Sequence, residues 1–414
     1  MILLGIFLTL LFFYSLISRR ARQMIISAPM LFTAVGIGIV LLSPEVFKIR
    51  FDDKVFLVVG EITLALVIFS DATQINLQRV LREYQIPSRL LAAAMPLVIL
   101  IGTVAAVLIF TDLSFWEAAV LGAILSPTDA SLGLAVVTSK RVPALIREAL
   151  TLESGLNDGL AVPFMMLFVA LARVDSPLQD VSWLTYAGQQ IIGGVLAGLV
   201  LGWIGGRLTA MARKSGWMGK PAQELALLSL AVLSWRLAEH VIGGNGFIAA
   251  FIAGAVVRRG YESVGEEMIE FNEAWGQLLV YLVFFMFGMV IAPDLLLLTA
   301  PFWLYAIMSL TLVRILPVWL SMRGTGVQRS SKLFMGWFGP RGLSSIVLGL
   351  VYLKEEVNLP GEETIILAVI ATVLLSILAH GISAAPGIKL YAHQVPDYPR
   401  DAPECQETKL VEVP

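Results

Sequence analysis

Long apolar runs recur along the chain, and this repetition limits what the chain can fold into. About 20 consecutive apolar residues cross a lipid bilayer as a helix, and runs of that size occupy most of the 414 residues. Hydrophobic residues make up 57% of the sequence and charged residues only 14%, whereas soluble proteins carry about 25% charged residues. The sequence therefore predicts an all-α polytopic membrane protein in a lipid bilayer, and with no basic patch it predicts no nucleic-acid partner.

We predict about 13 transmembrane helices joined by short loops. They cover residues 1–18, 28–44, 55–71, 87–110, 116–138, 145–172, 184–208, 222–241, 244–258, 272–292, 298–321, 331–353 and 363–386. Most of the 29 Lys and Arg residues then fall on one side, which the positive-inside rule identifies as cytoplasmic. We therefore expect the amino terminus outside, the carboxyl terminus in the cytoplasm, a transmembrane domain over 1–386 and a short, flexible tail over 387–414.

Two of these spans contain an interruption. In the fifth, Pro127 precedes Asp129 by two residues, and in the twelfth, Pro340 directly precedes Arg341. Proline removes a backbone donor and disfavours α geometry at the residue before it. The breaks are seven spans apart, an odd offset, so their parent repeats are predicted to be inverted across the membrane. Paired broken helices of this kind mark the binding site of a transporter.

The acid Asp158 stands at the head of the apolar segment 160–167. A carboxylate at membrane depth costs about 2.5–3.5 kcal/mol on insertion scales and usually marks an ion or proton pathway. Ser154 lies one helical turn before it, on the same face, and Asn157 directly precedes it. A carboxylate that holds either a cation or a proton is sufficient for coupled exchange.

Asp129 and Thr128 extend this candidate site into the fifth span. The carbonyl and hydroxyl of Thr128 are predicted to be available to a cation at the break. Two roles stay open for Asp129: a direct ion ligand, or a counter-charge for the positive amino end of a half-helix. Asp71, at the end of the third span, either guards the inner mouth of the pathway or simply marks the helix end.

Arg341 needs a buried counter-charge, because arginine keeps its proton in proteins. Glu153, also predicted to be buried, is the partner that we expect. A pair of this kind is structural rather than ion-binding, and it leaves Asp158 free for ions.

These residues give the chain a resemblance to the monovalent cation:proton antiporters, specifically the NhaP-like bacterial branch related to animal sodium/proton exchangers. The resemblance covers about residues 10–390 and rests on the motifs at 126–129, 153–158, 246–254, 284–288 and 339–342. It implies an inverted repeat with two unwound, crossed helices, with core helices around 87–172 and 298–386 that move against a dimer domain. It also implies a homodimer in the bacterial inner membrane.

The resemblance further assigns roles to residues. It places Na⁺ at Asp158, Asp129, Ser154 and the Thr128 backbone, and it joins Glu153 to Arg341 in a structural salt bridge. Asn157-Asp158, in place of two acids, resembles the electroneutral class. Asp71 stands where relatives often carry Glu, and its shorter side chain weakens the expectation of ion contact.

The predicted function is secondary active exchange of Na⁺ (or Li⁺) for H⁺ by alternating access, without a cofactor and without enzymatic activity. A K⁺/H⁺ antiporter of the same family is the nearest alternative. An intramembrane aspartyl protease also needs two membrane acids, and a passive cation channel is the third rival.

Overall fold

The helices of the computed structural model follow the apolar segments of the sequence. The model describes residues 2–21, 27–43, 54–74, 85–172, 183–260, 266–354 and 359–405. Within them the α-helices are α1 (Ile2–Ala21), α2 (Ala28–Leu42), α3 (Lys54–Gln74), α4 (Gln85–Ile109, with a π turn at Leu90–Ala94), α5 (Phe115–Ile124), α6 (Leu134–Val137), α7 (Ala144–Ala172), α8 (Trp183–Lys214), α9 (Lys220–Leu237), α10 (Gly246–Gly260), α11 (Glu266–Ile291), α12 (Ala300–Leu310), α13 (Leu312–Ser321), α14 (Arg329–Trp337), α15 (Leu343–Lys354) and α16 (Glu362–Gln394).

A helix lies at every predicted span, which confirms the all-α class of the fold. Among the described residues, six helices are long and apolar enough to cross a membrane by length and composition, and six further apolar helices are shorter. The number of membrane crossings, about 13, stays a prediction.

Both predicted breaks are present, and they lie side by side. The first separates α5 from α6, and the second separates α14 from α15. The backbone N–H of Asp129 in the first break donates a hydrogen bond to the carbonyl of Pro340 in the second, over 2.9 Å. Unwound backbone inside an apolar bundle needs partners for its polar groups, and here each break supplies partners to the other.

Packing divides the helices into two groups. Helices α4–α7 pack with α12–α16, and α2 and α3 pack with α8–α11, while α3 and α10 contact α15 and α7 across the boundary. The first group contains both breaks. The relative motion of a core and a dimer domain stays a prediction.

Glycine allows the closest helix approaches. The four-residue ladder Gly194, Gly198, Gly202, Gly206 of α8 faces α10, where a Cβ on Gly198 would lie 2.6 Å from the carbonyl oxygen of Ala249. Small residues at such spacing let membrane helices pack backbone to backbone. The ladder is therefore an element of packing, as its spacing predicts.

The flexible tail predicted from residue 387 is wrong through residue 405. Helix α16 continues past Pro386 to Gln394, and the following residues fold back onto α14. The Tyr398 hydroxyl bonds to that of Ser330 over 2.5 Å, and buried Glu404 accepts a hydrogen bond from the Gln328 N–H over 2.9 Å. Polar composition predicted a solvated tail, but these polar groups satisfy the amino end of α14. Residues 406–414 lie outside the described residues.

The contact between α2 and α11 provides a test of this packing. A Cβ on Gly36 would collide with the carbonyl oxygen of Phe285, whereas a Cβ on Gly38, in the same helix, would meet nothing within 4 Å. We expect Gly36→Ala to destabilise the protein by about 1–3 kcal/mol through overpacking. The apparent Tm in detergent should fall for Gly36→Ala and stay unchanged or rise for Gly38→Ala. Equal Tm values for the two variants would contradict the close approach.

Candidate ion-binding site

Helix α7 places Ser154, Asn157 and Asp158 in the interior of the bundle. Asp158 is only 4% exposed and Asn157 only 1%. Two glycines on this helix allow α10 to approach: a Cβ on Gly159 would lie 3.1 Å from the backbone nitrogen of Ile248, and one on Gly155 would touch the Phe251 ring at 2.7 Å. Backbone therefore approaches closely at Gly159, and an aromatic side chain does so at Gly155.

The first break brings Thr128 against this helix. The Asn157 side-chain amide donates a hydrogen bond to the Thr128 hydroxyl over 2.9 Å, and that hydroxyl lies 3.2 Å from the hydroxyl of Ser154. All three side chains are buried. The predicted site residues Thr128, Ser154 and Asn157 therefore form one hydrogen-bonded group beside Asp158.

The carboxylate of Asp158 is incompletely satisfied within the described residues. Its Oδ1 atom is buried and accepts no hydrogen bond there, and the Oδ1 atom of Asn157 is in the same situation. Within the part of the chain that the structure describes, the side chain that hydrogen-bonds to the Asp158 carboxylate is Ser344, and the negative charges of Asp129 and Asp71 are close enough to act on it. Burying a charged oxygen without a partner costs several kcal/mol. Binding of a cation or a proton to this oxygen would remove that cost.

Asp129 is in the opposite condition, because both of its carboxylate oxygens are occupied. Its Oδ1 accepts hydrogen bonds from the backbone N–H and the hydroxyl of Ser131, over 2.8 and 2.6 Å. Its Oδ2 accepts one from the backbone N–H of Leu343, over 2.6 Å, at the first residue of α15. Gly342 is required there, because a Cβ on it would collide with this carboxylate.

These contacts bear on the two roles left open for Asp129. A carboxylate at a helix amino end satisfies free N–H groups and balances the positive end of the dipole. Asp129 caps α15, the second half of the other broken helix, in this way. It also holds the first break in place through its hydrogen bonds to Ser131. The geometry favours the dipole-balancing role, and direct ligation of a cation by Asp129 stays a prediction.

The two acids should respond differently to the same replacement. In Asp129→Asn, either orientation of the amide points its NH₂ at a backbone N–H, whereas in Asp158→Asn the NH₂ can occupy the unbonded Oδ1 position. We expect Asp129→Asn to cost about 1–3 kcal/mol of stability and Asp158→Asn to cost less. The measurement is the apparent Tm of both variants in detergent, and a larger loss in Asp158→Asn would contradict the assigned roles.

Arg341 holds the crossing together through backbone carbonyls. Its Nη1 group donates to the carbonyls of Ser126 and Pro127, over 3.0 and 2.9 Å, in the first break. The predicted salt bridge between Glu153 and Arg341 is therefore wrong. Unwinding frees carbonyl oxygens, and these concentrated dipoles provide the guanidinium with acceptors that a continuous helix would not offer.

Glu153 pairs instead with Arg314 of α13. The guanidinium donates two parallel hydrogen bonds to the carboxylate, 2.5 Å from Nη1 to Oε1 and 2.7 Å from Nη2 to Oε2. Both residues are 1% exposed. This bidentate geometry is the strongest available to an arginine and a carboxylate, and it ties α7 to α13.

A double-mutant cycle distinguishes the two pairings. Glu153→Leu or Arg314→Met alone leaves one buried charge without its partner and should cost about 3–5 kcal/mol. The double variant removes both charges, so it should recover most of that loss. Unfolding in detergent measures the coupling energy. The same cycle on Glu153 and Arg341 should give a smaller coupling, and the reverse order would refute the assignment.

The second break is also held from α16. The backbone N–H of Arg341 donates to the Ser376 hydroxyl over 2.8 Å. The His380 ring lies between that hydroxyl, 3.1 Å from Nδ1, and the carbonyl of Trp337, 2.8 Å from Nε2. Because a carbonyl only accepts, Nε2 carries the hydrogen and donates it. This chain satisfies both ends of the unwound segment between Trp337 and Arg341.

A cavity of about 620 Å³ lies beside the first break, where Ala130, Ser131 and Leu132 line it. Asp71 lines it together with Ser70, Ser131, Thr151 and Arg141. Asp158 is not among the lining residues. The position of Asp71 fits the predicted entrance to the pathway, and its contact with an ion stays a prediction.

Sequence reasoning missed two residues of this site. Neither Arg314 nor Ser344 was assigned a role in the site from the sequence. The sequence did contain a signal for Arg314. An unwound segment offers carbonyl acceptors to Arg341, so Glu153 is free to pair with Arg314, the arginine in the eleventh predicted span. No pattern in the sequence distinguishes Ser344 from Ser345.

The chain belongs to a known family. It matches the model of the transmembrane region of sodium/hydrogen exchangers over residues 6–389, so it is a member of the sodium/hydrogen exchanger family and a multi-pass membrane protein.

Among the proteins similar to it are two curated K(+)/H(+) antiporters. The chain is 25% identical over 406 residues to the K(+)/H(+) antiporter NhaP of Alkalimonas amylolytica, covering 95% of this chain and 67% of that protein. It is 27% identical over 300 residues to the K(+)/H(+) antiporter NhaP2 of Shewanella sp. (strain ANA-3), covering 70% of this chain and 50% of that protein.

The structure of the sodium proton antiporter MjNhaP1 from Methanocaldococcus jannaschii superposes with a TM-score of 0.76 at 21% identity, over 95% of this chain and 99% of that chain. The predicted NhaP-like antiporter fold is thereby confirmed. The matched segments span about half to two thirds of the length of the two curated relatives.

Proposed function

We propose that this protein is a secondary active antiporter that exchanges Na⁺ (or Li⁺) for H⁺ by alternating access. The observation that carries the proposal is the Asp158 carboxylate, which is buried and has one oxygen without a hydrogen bond among the described residues. The hydroxyls of Ser154 and Thr128 and the Asn157 amide lie beside it. Oxygen atoms of this kind are the ligands that hard cations prefer.

Coupling follows from the unsatisfied carboxylate of Asp158. A cation at Asp158 neutralises the carboxylate, and so does a proton, but the two exclude each other. Because the buried charge is costly when bare, the movement of the site across the membrane is favoured only in a neutralised form. One carboxylate then carries one positive charge in each direction, which supports electroneutral exchange.

The proposed cation is Na⁺ or Li⁺, and K⁺ is the alternative. Family membership and the fold support Na⁺, whereas the two curated relatives are named as K⁺/H⁺ antiporters. A K⁺/H⁺ antiporter with the same site is therefore the second candidate. Na⁺, Li⁺ and K⁺ differ in radius, so the positions of the ligand oxygens decide between them.

The arrangement of the acids disfavours an aspartyl protease. Such an enzyme needs two carboxylates that share and activate a water molecule. Both oxygens of Asp129 are occupied by donors from Ser131 and Leu343, which leaves Asp158 without a partner for that chemistry.

The proposal also covers the oligomeric state of the protein and its orientation in the membrane. We infer a homodimer in a bacterial inner membrane, with the amino terminus outside and the carboxyl terminus in the cytoplasm. In this orientation the cavity beside Asp71 opens to the cytoplasm, so the described state is inward-facing.

Transport by reconstituted protein tests this function. Vesicles with an imposed proton gradient and a clamped membrane potential receive Na⁺, Li⁺ or K⁺ in turn. We expect Na⁺ or Li⁺ to collapse the gradient with wild-type protein and not with Asp158→Asn, because the amide holds neither a cation nor a transferable proton. Asp112→Asn, at an exposed acid away from the site, should transport like the wild type.

Other outcomes of this assay identify the rivals. Collapse with K⁺ alone would establish potassium/proton exchange. Conductance without proton counterflow would identify a channel. Coupled exchange retained by folded Asp158→Asn would refute the role of Asp158.

A further inference from the structure

The first turn of α15 touches both intramembrane acids. The backbone N–H of Leu343 donates to Asp129, over 2.6 Å, and the side chain of the next residue, Ser344, hydrogen-bonds to Asp158. Helices α15 and α7 are in contact, and Ser344 is 2% exposed. The second broken helix thus contributes a side-chain hydroxyl to a site otherwise built from α7 and the first break.

The neighbouring serine shows that this contact is specific. Ser345 is 0% exposed, and its hydroxyl has no hydrogen-bond partner among the described residues. Successive residues on a helix point about 100° apart, so only one of the two can face Asp158. Ser344 is the one that does.

The chemistry of a hydroxyl suits both occupants of the proposed site. A serine hydroxyl has one donor hydrogen and two acceptor lone pairs. Toward the ionised carboxylate it donates, and a lone pair stays available to a cation held by Asp158. When Asp158 carries a proton, rotation of the hydroxyl hydrogen lets Ser344 accept from the carboxylic acid instead. No other side-chain hydrogen bond to Asp158 is present among the described residues.

We propose that Ser344 is an additional oxygen ligand of the transported cation and that it links the occupancy of Asp158 to the second broken helix. This inference rests on the proposed antiport function and extends its binding site. Ser344 hydrogen-bonds to Asp158 of α7 and sits at the start of α15, the second half of the other broken helix. A change at Asp158 therefore reaches α15 directly, through one hydrogen bond.

Kinetics of cation binding test this proposal. In reconstituted vesicles, Ser344→Ala should raise the KM for Na⁺ or Li⁺ by about tenfold and change the maximal rate by less than about twofold, because a bond to a charged group is lost. Ser344→Cys should raise the KM in the same direction, since a thiol is a weak donor and a soft ligand. Ser345→Ala is the matched control and should leave the KM unchanged.

Thermal stabilisation gives a second measurement that does not depend on transport. Added cation should raise the Tm of the wild type in detergent, and a higher cation concentration should be needed for Ser344→Ala. If Ser344→Ala does not fold, the nearly isosteric Ser344→Cys decides between the outcomes.

The outcomes separate this inference from the function on which it rests. Wild-type exchange with an unchanged KM in Ser344→Ala would overturn the role of Ser344 and leave the antiport function standing. An equal change in Ser345→Ala would also overturn it, because the effect would then be one of packing. A wild type with neither exchange nor cation-dependent stabilisation would overturn both proposals.

Discussion

The main constraint on this structure is one buried carboxylate oxygen, Oδ1 of Asp158. A charged oxygen in an apolar interior must be neutralised or hydrogen-bonded, and this atom has no donor among the described residues. The surrounding hydroxyls and amide supply neutral oxygens at hydrogen-bonding distances from one another. The site is therefore built to accept a positive charge that the protein does not itself provide.

The two neighbouring buried acids, Asp129 and Glu153, are satisfied by the protein, and this contrast distinguishes Asp158 from them. Asp129 receives three hydrogen bonds, Glu153 is paired with Arg314, and Arg341 is bound to carbonyls of the first break. These interactions hold the two unwound segments against each other. They fix the framework of the crossing, so that Asp158 is free to exchange its partner.

The sequence predicted the parts of this arrangement that depend on local patterns. Apolar run length predicted the helices, Pro127 and Pro340 predicted the breaks, and helical spacing placed Ser154 beside Asp158. It failed where the outcome depends on which distant groups compete for the same partner. Arg341 binds carbonyl groups that unwinding has freed, and Glu153 therefore pairs with Arg314. The polar segment after residue 387 packs against the amino end of α14. The contact between Ser344 and Asp158 depends on the rotation of α15 about its own axis. The spacing of residues in the sequence does not specify this rotation.

In the proposed mechanism, a cation and a proton compete for Asp158. Proton release on cation binding measures this directly. Purified protein in weakly buffered detergent solution is titrated with Na⁺, Li⁺ or K⁺ while a pH indicator reports the protons released. At a pH where Asp158 is protonated, the wild type should release about one proton for each cation bound. Asp158→Asn should release none. Cation binding by the wild type without proton release would contradict this competition.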